Sequence, residues 1–253
     1  MAHRPHFHGP DNHDDEPGRG LFPVRCGQWF DVIFVNIDGK APPLDVYMKP
    51  FAERLGAYNF STLRYGGTIK WEFAANWKLV QENYIEPYHV SAVHPRLEQW
   101  TPSNIHKFGH DGVCCINGVS FEKPDKGRGG GMPVLPNLTP DQAHQGIYLH
   151  LFPSLDCGVW PDHVHTLTLT PMGPDHTYEE INIYFTEETM APEYEAAREA
   201  VFESWRELNG EDVDVVERLQ KGRAATAFDG GMLTPYWDTV THHFASLVVE
   251  GMQ

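Results

Sequence analysis

The apolar positions of this chain fall into short runs separated by turn signals, with helical spacing in one central stretch and in the C-terminal third. FDVIFVNI (30–37) reads as a buried strand closing on Asp38-Gly39. Pro42 and Pro43 follow, then a short amphipathic piece around Leu44 to Leu55. LRYGGTIKWEFAAN (63–76) has strand composition with a Gly-Gly interruption, and the pattern then turns helical from Trp77 to about Val93. Val113 to Phe121 reads as another strand. GIYLHLFPSL (146–155), HTLTLTPM (165–172) and TYEEINIYF (177–185) make three more, the last two joined as a hairpin around Gly173-Pro174-Asp175.

The C-terminal third is helical. Pro192 sits where a first turn tolerates it, and Glu193 to Leu208 has helix composition. Asn209-Gly210 reads as a stop, Glu211 to Lys221 as a second helix closed by Gly222, and Tyr236 to Val249 as a third. Strands, helix, strands, helices in that order predict one α+β domain over 21–253 with an antiparallel sheet. The longest loop signal is KPDKGRGGGMPVLPNLTP (123–140), a length that suits a functional lid or mobile segment. Its GRGGG run lacks the Gly-Lys-Ser/Thr and the strand-to-helix setting of a phosphate loop.

Composition narrows the function classes. The chain has 253 residues, 41% of them hydrophobic, with 14 Phe, 10 Tyr and 7 Trp, ample for a real core. The formal net charge of −16 repels phosphate backbones, so nucleic acid is not expected as a partner. No apolar run approaches the ~20 residues that span a bilayer. Cys26, Cys114, Cys115 and Cys157 suggest no disulfide framework, and a reducing cytoplasm is the expected location. Cys114 and Cys115 are expected on opposite sides of a strand. Residues 1–20, with His3, His6, His8 and His13, read as a mobile leader or the remnant of a missing domain.

The chemistry concentrates in ENYIEPYHVSAVHP (82–95). Two imidazoles and a carboxylate form the facial triad that holds non-haem Fe(II) with positions left open. Glu86 and His89, three apart, share a helical face. Pro95 disfavours the α conformation at His94, so the helix should end there and free that ring to turn back. Pro87 either kinks the helix or divides it in two. The third ligand must come from elsewhere. In EDVDVVERLQKG (211–222), Asp212 shares a stripe with Val215, Val216 and Leu219, whereas Asp214 falls with Arg218 as an i,i+4 ion pair. An acid at the margin of an apolar stripe needs a partner, so Asp212 is chosen over Asp214. Glu86 and Asn83 are candidates to orient the imidazoles. Phe152, Trp160 and Phe185 lie on strands that could line an apolar pocket.

NWKLVQENYIEPYHVSAVHP resembles the iron-binding segment of the Rieske non-haem iron oxygenases, the α subunits of aromatic-ring-hydroxylating oxygenases. EDVDVVERLQKG is similar to the segment carrying that family's iron-binding aspartate, GMLTPYWDTVTHHF (231–244) to its C-terminal signature, and LFPVRCGQWFDVIFVNID (21–38) to the strand that opens its catalytic domain. The resemblance implies a helix-grip fold, an antiparallel sheet wrapped around helices. It implies iron ligands at His89, His94 and Asp212, with Glu86 in the place of the acid that bridges to a neighbouring subunit's cluster. O2 and a small organic substrate, aromatic in the first instance, are the expected reactants. A Rieske or ferredoxin-type donor and its reductase are the expected partners, in a homotrimer. The chain departs from the pattern at Pro87 and, more deeply, in its cysteines. A Rieske cluster needs Cys₂His₂, and none of the four cysteines has a His two or three positions on. The 2Fe-2S cluster is therefore expected in trans or in a missing N-terminal domain. A catalytically silent ligand-binding protein of the same fold, or a structural subunit of a larger oxygenase, are the alternatives.

Overall fold

Seven strands pair antiparallel throughout, in the order 63–73, 176–186, 163–173, 155–160, 145–151, 114–120 and 107–111, and the helices packed on this sheet hold the candidate site. The computed structural model describes residues 21–121, 127–128 and 130–253. The leader with its four histidines lies outside these residues, as does part of the 123–140 loop. The chain divides into two compact units, Met1–Tyr47 and Met48–Gln253.

In the first unit, β1 (Arg25–Trp29) and β2 (Val32–Asn36) form a hairpin that turns over Phe30 and Asp31, followed by the short α1 (Leu44–Tyr47). The run 30–37 is thus not one buried strand. Its first two residues are the turn, and Ile33 and Val35 are 71% and 61% exposed. A strand apolar on both faces needs cover on both, and a two-stranded ribbon supplies too little.

In the second unit, α2 (Lys49–Leu55) precedes β3 (Leu63–Phe73). The Gly-Gly interruption is a register shift between Tyr65 and Gly67, a bulge within a continuous strand. β4 (Lys107–Asp111), absent from the sequence reading, pairs with β5 (Cys114–Ser120). β6 (Gln145–Leu151) and β7 (Leu155–Trp160) divide what reads as one strand at 146–155, and β8 (His163–Gly173) and β9 (His176–Thr186) form the expected hairpin.

Asn76 caps α3 (Trp77–Ile85) by accepting the Lys78 N–H at 3.1 Å. The helix stops at Glu86, extended as the residue before a proline prefers to be. Of the two outcomes open at Pro87, division is the one observed. α4 (Val90–Val93) and α5 (Pro95–Trp100) follow, separated at His94 as Pro95 requires.

The C-terminal region departs from expectation. α6 (Glu195–Arg223) runs 29 residues straight through Asn209-Gly210, and α7 is Thr239–Gly251. Glycine keeps its N–H, so the helical ladder is intact at a cost of roughly 1 kcal/mol. The Asn209 amide is tied to the buried Glu179 of β9, which anchors the helix at the point where it would otherwise break. Val201, Phe202, Trp205 and Val216 of α6 pack with Ile69, Leu167, Ile181 and Ile183 of the sheet and with Leu79 and Val80 of α3. Helix over sheet at this face places the end of α3, α4 and the middle of α6 side by side.

The cysteines are free. Cys114 and Cys115 are neighbours on β5 and both fully buried, and burial pushes both thiols up to about 12. Among the described residues no helix is long and apolar enough to cross a membrane.

Candidate metal centre

His89, His94 and Asp212 converge. Each offers one ligand atom, and these atoms all lie within 4.8 Å of one another. The Asp212 carboxylate oxygen Oδ1 sits 3.0 Å from His94 Nε2 and 3.6 Å from His89 Nε2. Ligands about 2.0–2.2 Å from one ion on adjacent corners stand ~3 Å apart, so the observed spacing needs only small adjustment. Asp214 lies elsewhere, exposed and paired with Arg218 at 2.7 Å, as its spacing predicts. Leu219, assigned by spacing to the stripe of Asp212, is exposed, and Val213 and Val216 are the residues that pack inward.

Both rings are held from behind. His89 Nδ1–H donates to Glu86 Oε1 at 2.8 Å, and His94 Nδ1–H donates to Glu211 Oε2 at 2.7 Å. A carboxylate on Nδ1 fixes the tautomer, leaving Nε2 as a bare lone pair aimed at Asp212. Glu86 does more than orient a ring. Its Oε2 accepts the backbone N–H groups of Tyr88 and His89, capping the turn that Pro87 opens. Asn83 lines the same cavity, and among the described residues no hydrogen bond joins it to either imidazole.

The donor set fits a divalent metal on its own chemistry. Asp212 Oδ1 is buried and accepts no hydrogen bond, although a ring nitrogen lies 3.0 Å away, because no N–H points at it. An orphaned carboxylate oxygen is costly in a protein interior. Two imidazole lone pairs converging on it remove that cost only if a cation stands between them. Without one, burial opposes charge on His89, but hydrogen bonding to Glu86 and the fields of Glu86 and Asp212 outweigh it and raise the ring's pKa.

The cavity in front of the three ligands has free space of about 540 Å³, counting its open mouth. The enclosed part of it is much smaller, about 80 Å³. Val90, Leu97, Leu208 and Trp205 give it apolar wall; Tyr84, His106, Asn117, Arg128, Tyr148 and Asn209 give it polar groups. Phe152, Trp160 and Phe185 do not line it. Trp160 and Phe185 are fully buried in the core, and Phe152 packs with Phe244 of α7. The cavity takes Asn117 and Tyr148 from the neighbouring strands β5 and β6 and the rest of its wall from helices and loops, so Phe152, Trp160 and Phe185 were the wrong strand positions to choose.

Residues 60–253 match the family model for the ring hydroxylating alpha subunit (catalytic domain). The chain belongs to that family. The carnitine monooxygenase oxygenase subunit of Acinetobacter pittii (strain PHEA-2) is 22% identical over 228 residues, covering 85% of this chain and 57% of the relative. A quaternary ammonium Rieske monooxygenase involved in carnitine oxidation by gut microbiota superposes with a TM-score of 0.75 at 20% identity, covering 91% of this chain and 62% of that one. Naphthalene 1,2-dioxygenase from Rhodococcus sp. does so with a TM-score of 0.65 at 16% identity, covering 89% and 65%. These relatives and neighbours are oxygenase catalytic subunits, and this chain shares the fold of their catalytic domains. It spans about 57% of the length of the curated relative.

For a ring hydroxylating catalytic domain, two features of the site escaped sequence reading. Glu211 carried no separate signal beside Asp212 in EDVD, because which acid faces His94 depends on how α6 crosses α4. Arg128 lay inside a loop dismissed as a phosphate binder, and a lone arginine among glycines does not announce a buried role.

Proposed function

We propose that His89, His94 and Asp212 hold one Fe(II), and that the chain is the catalytic domain of an oxygenase that hydroxylates a small organic molecule with O2. The orphaned Asp212 Oδ1 between two oriented imidazole nitrogens carries this reading. Family membership supports it, and the substrate need not be aromatic. The electrons would come from a Rieske 2Fe-2S centre on a partner chain or on sequence outside these residues, supplied by a ferredoxin-type donor and reductase. Assembly as a trimer rests on the resemblance alone.

When bound, the iron would supply reductive activation of O2 at positions the triad leaves open. The chain's own side chains do the rest. Glu86 and Glu211 accept the Nδ1–H of the two imidazoles and fix the rings in orientation, so that each presents Nε2 to the metal position. Val90, Leu97, Leu208 and Trp205 keep bulk water from the reacting carbon and seat the substrate's apolar part. Tyr84 and Tyr148 stay protonated, burial holding both phenols above their ordinary pKa, so each presents an O–H rather than a charge.

Iron analysis of protein purified without oxygen tests the assignment. We expect about one iron per folded chain, and loss of most of it in Asp212→Ala and His94→Ala with the circular dichroism spectrum unchanged. Folded wild-type protein that takes up no iron from excess Fe(II) would sink the reading.

A further inference from the structure

We propose that Arg128 is the binding residue for a carboxylate on the substrate, so that this domain acts on small organic acids. The inference rests on the cavity assigned above as the oxygenase site.

Arg128 sits at the tip of a tight turn. The Gly130 N–H donates to the Gly127 carbonyl at 3.1 Å, and Gly127 has φ +81°, a left-handed conformation that favours glycine. Gly127 lies against Ala200 and Ser204 of α6, and a Cβ there would reach them at 3.8 Å. Gly127 thus lies on the helix, and the side chain of Arg128 next to it is buried. Arg128 is 2% exposed and lines the cavity that His89, His94 and Asp212 also line.

Among the described residues the guanidinium is stacked on aromatic rings and is not neutralised by a carboxylate. It lies 4.0 Å from the centre of the Trp205 ring and 5.2 Å from that of Trp160. Stacking holds the plane of the group and leaves its edge N–H donors free. One of them goes to the Tyr148 hydroxyl at 3.1 Å, and Nε has no partner. Among the described residues no carboxylate pairs with it. Asp212 acts on it only through its field, alongside the Tyr84 and Tyr148 phenols. His165, whose imidazole is held neutral by burial and by the nearby His163 and Arg128, offers no counter-charge.

A buried cation without an anion is expensive, and a protein bears that cost where a ligand supplies the missing charge. The fork of a guanidinium matches a carboxylate in two parallel hydrogen bonds. Tyr148 O–H stands beside it as a further donor or spacer. A diamine or other purely cationic substrate is excluded by the same charge. A betaine-type or aromatic acid is accommodated, with its carboxylate at Arg128 and its reacting carbon toward the triad.

Equilibrium binding to the full chain, read by tryptophan fluorescence and by calorimetry, tests this with matched probes: carnitine against its methyl ester, benzoate against benzyl alcohol, and putrescine as a diamine. At least one acid should bind about ten- to hundredfold more tightly than its counterpart without the carboxylate. Arg128→Met should bring that preference to within about twofold, and Arg128→Lys should restore part of it. Binding of neither acid, equal binding of acid and counterpart, tighter binding of putrescine, or an undiminished preference in Arg128→Met would each overturn the proposal. If Arg128→Met does not fold, the wild-type preference alone decides. Iron content of the same samples separates this inference from the one beneath it. Iron-loaded protein without acid preference defeats only the Arg128 assignment, and acid-selective protein that takes up no iron defeats only the metal assignment.

Discussion

Two glutamates set the state of the imidazoles at the residue scale, and they do so differently. Glu86 holds His89 from three residues away and also caps the next turn, so its loss would disturb backbone and ring together. Glu211 comes from α6 and touches His94 through one hydrogen bond of 2.7 Å, its one side-chain hydrogen bond among the described residues, which makes it the cleaner probe. Glu211→Gln keeps a hydrogen-bond acceptor but removes the charge that strengthens the hydrogen bond to Nδ1. We expect iron affinity to fall about ten- to hundredfold, measured by competition with a chelator, with the unfolding midpoint nearly unchanged. An affinity within twofold of wild type would show that Glu211 does not position His94. His89, by contrast, was legible in the sequence together with its support, because an i,i+3 acid–histidine pair lies on one stretch of chain. No rule of spacing links residue 94 to residue 211.

At the scale of elements, the site depends on three backbone events. α3 ends at Glu86 because of Pro87, α4 ends at His94 because of Pro95, and α6 fails to end at Asn209-Gly210. The first two follow from local sterics: the stop before Pro95 was readable, whereas at Pro87 a kink and a division were both open. The third is a tertiary override: the tie from Asn209 to Glu179 and the packing of Val201, Trp205 and Val216 carry the helix through a pair of residues that would stop it in isolation. Strand boundaries were blurred wherever neighbouring strands were both apolar, as at β6 and β7. A further element-level constraint lies at Gly158 of β7, opposite His165 of β8. A Cβ there would meet His165 Cε1 at 1.8 Å. The His165 ring in turn holds the Tyr84 hydroxyl at 3.0 Å. Gly158→Ala must therefore push the imidazole away from Tyr84 and the cavity wall, with destabilisation of about 1–3 kcal/mol by chemical denaturation. A change below ~0.5 kcal/mol would mean that the ring has another place to go.

For the whole molecule, the interior is unusually polar, and its charge state couples stability to pH. Glu179 is fully enclosed between sheet and helix, and burial, then the field of Asp212, push its carboxyl up to about 8, the Asn209 hydrogen bond only partly opposing them. A carboxyl whose folded pKa exceeds its unfolded value favours the fold while protonated. Its contribution is complete below about 4.5 and is lost as pH rises towards about 8. At 1.36 kcal/mol per pH unit, that interval corresponds to roughly 5 kcal/mol as an upper figure. Metal-free Glu179→Gln should therefore gain stability over wild type at pH 8 to 9 and show little gain at pH 4.5 to 5. Urea unfolding across that range reads the difference, and parallel stability curves for the two proteins would refute it. The net charge of −16 adds a general self-repulsion in both proteins and cancels in the comparison.

The amino-acid sequence alone determined the antiparallel α+β class, the placing of His89 and His94 around two prolines, and the choice of Asp212 over Asp214. Each is a local matter: period of burial, backbone sterics before proline, and which acid has an i,i+4 arginine to satisfy it. Only the tertiary structure decided that Glu211 stands behind His94, that α6 is one helix, and that Arg128 is buried against the cavity with no carboxylate paired to it among the described residues. Those depend on how two distant segments cross and on which charges the crossing leaves unpaired, quantities that no run of neighbouring residues contains.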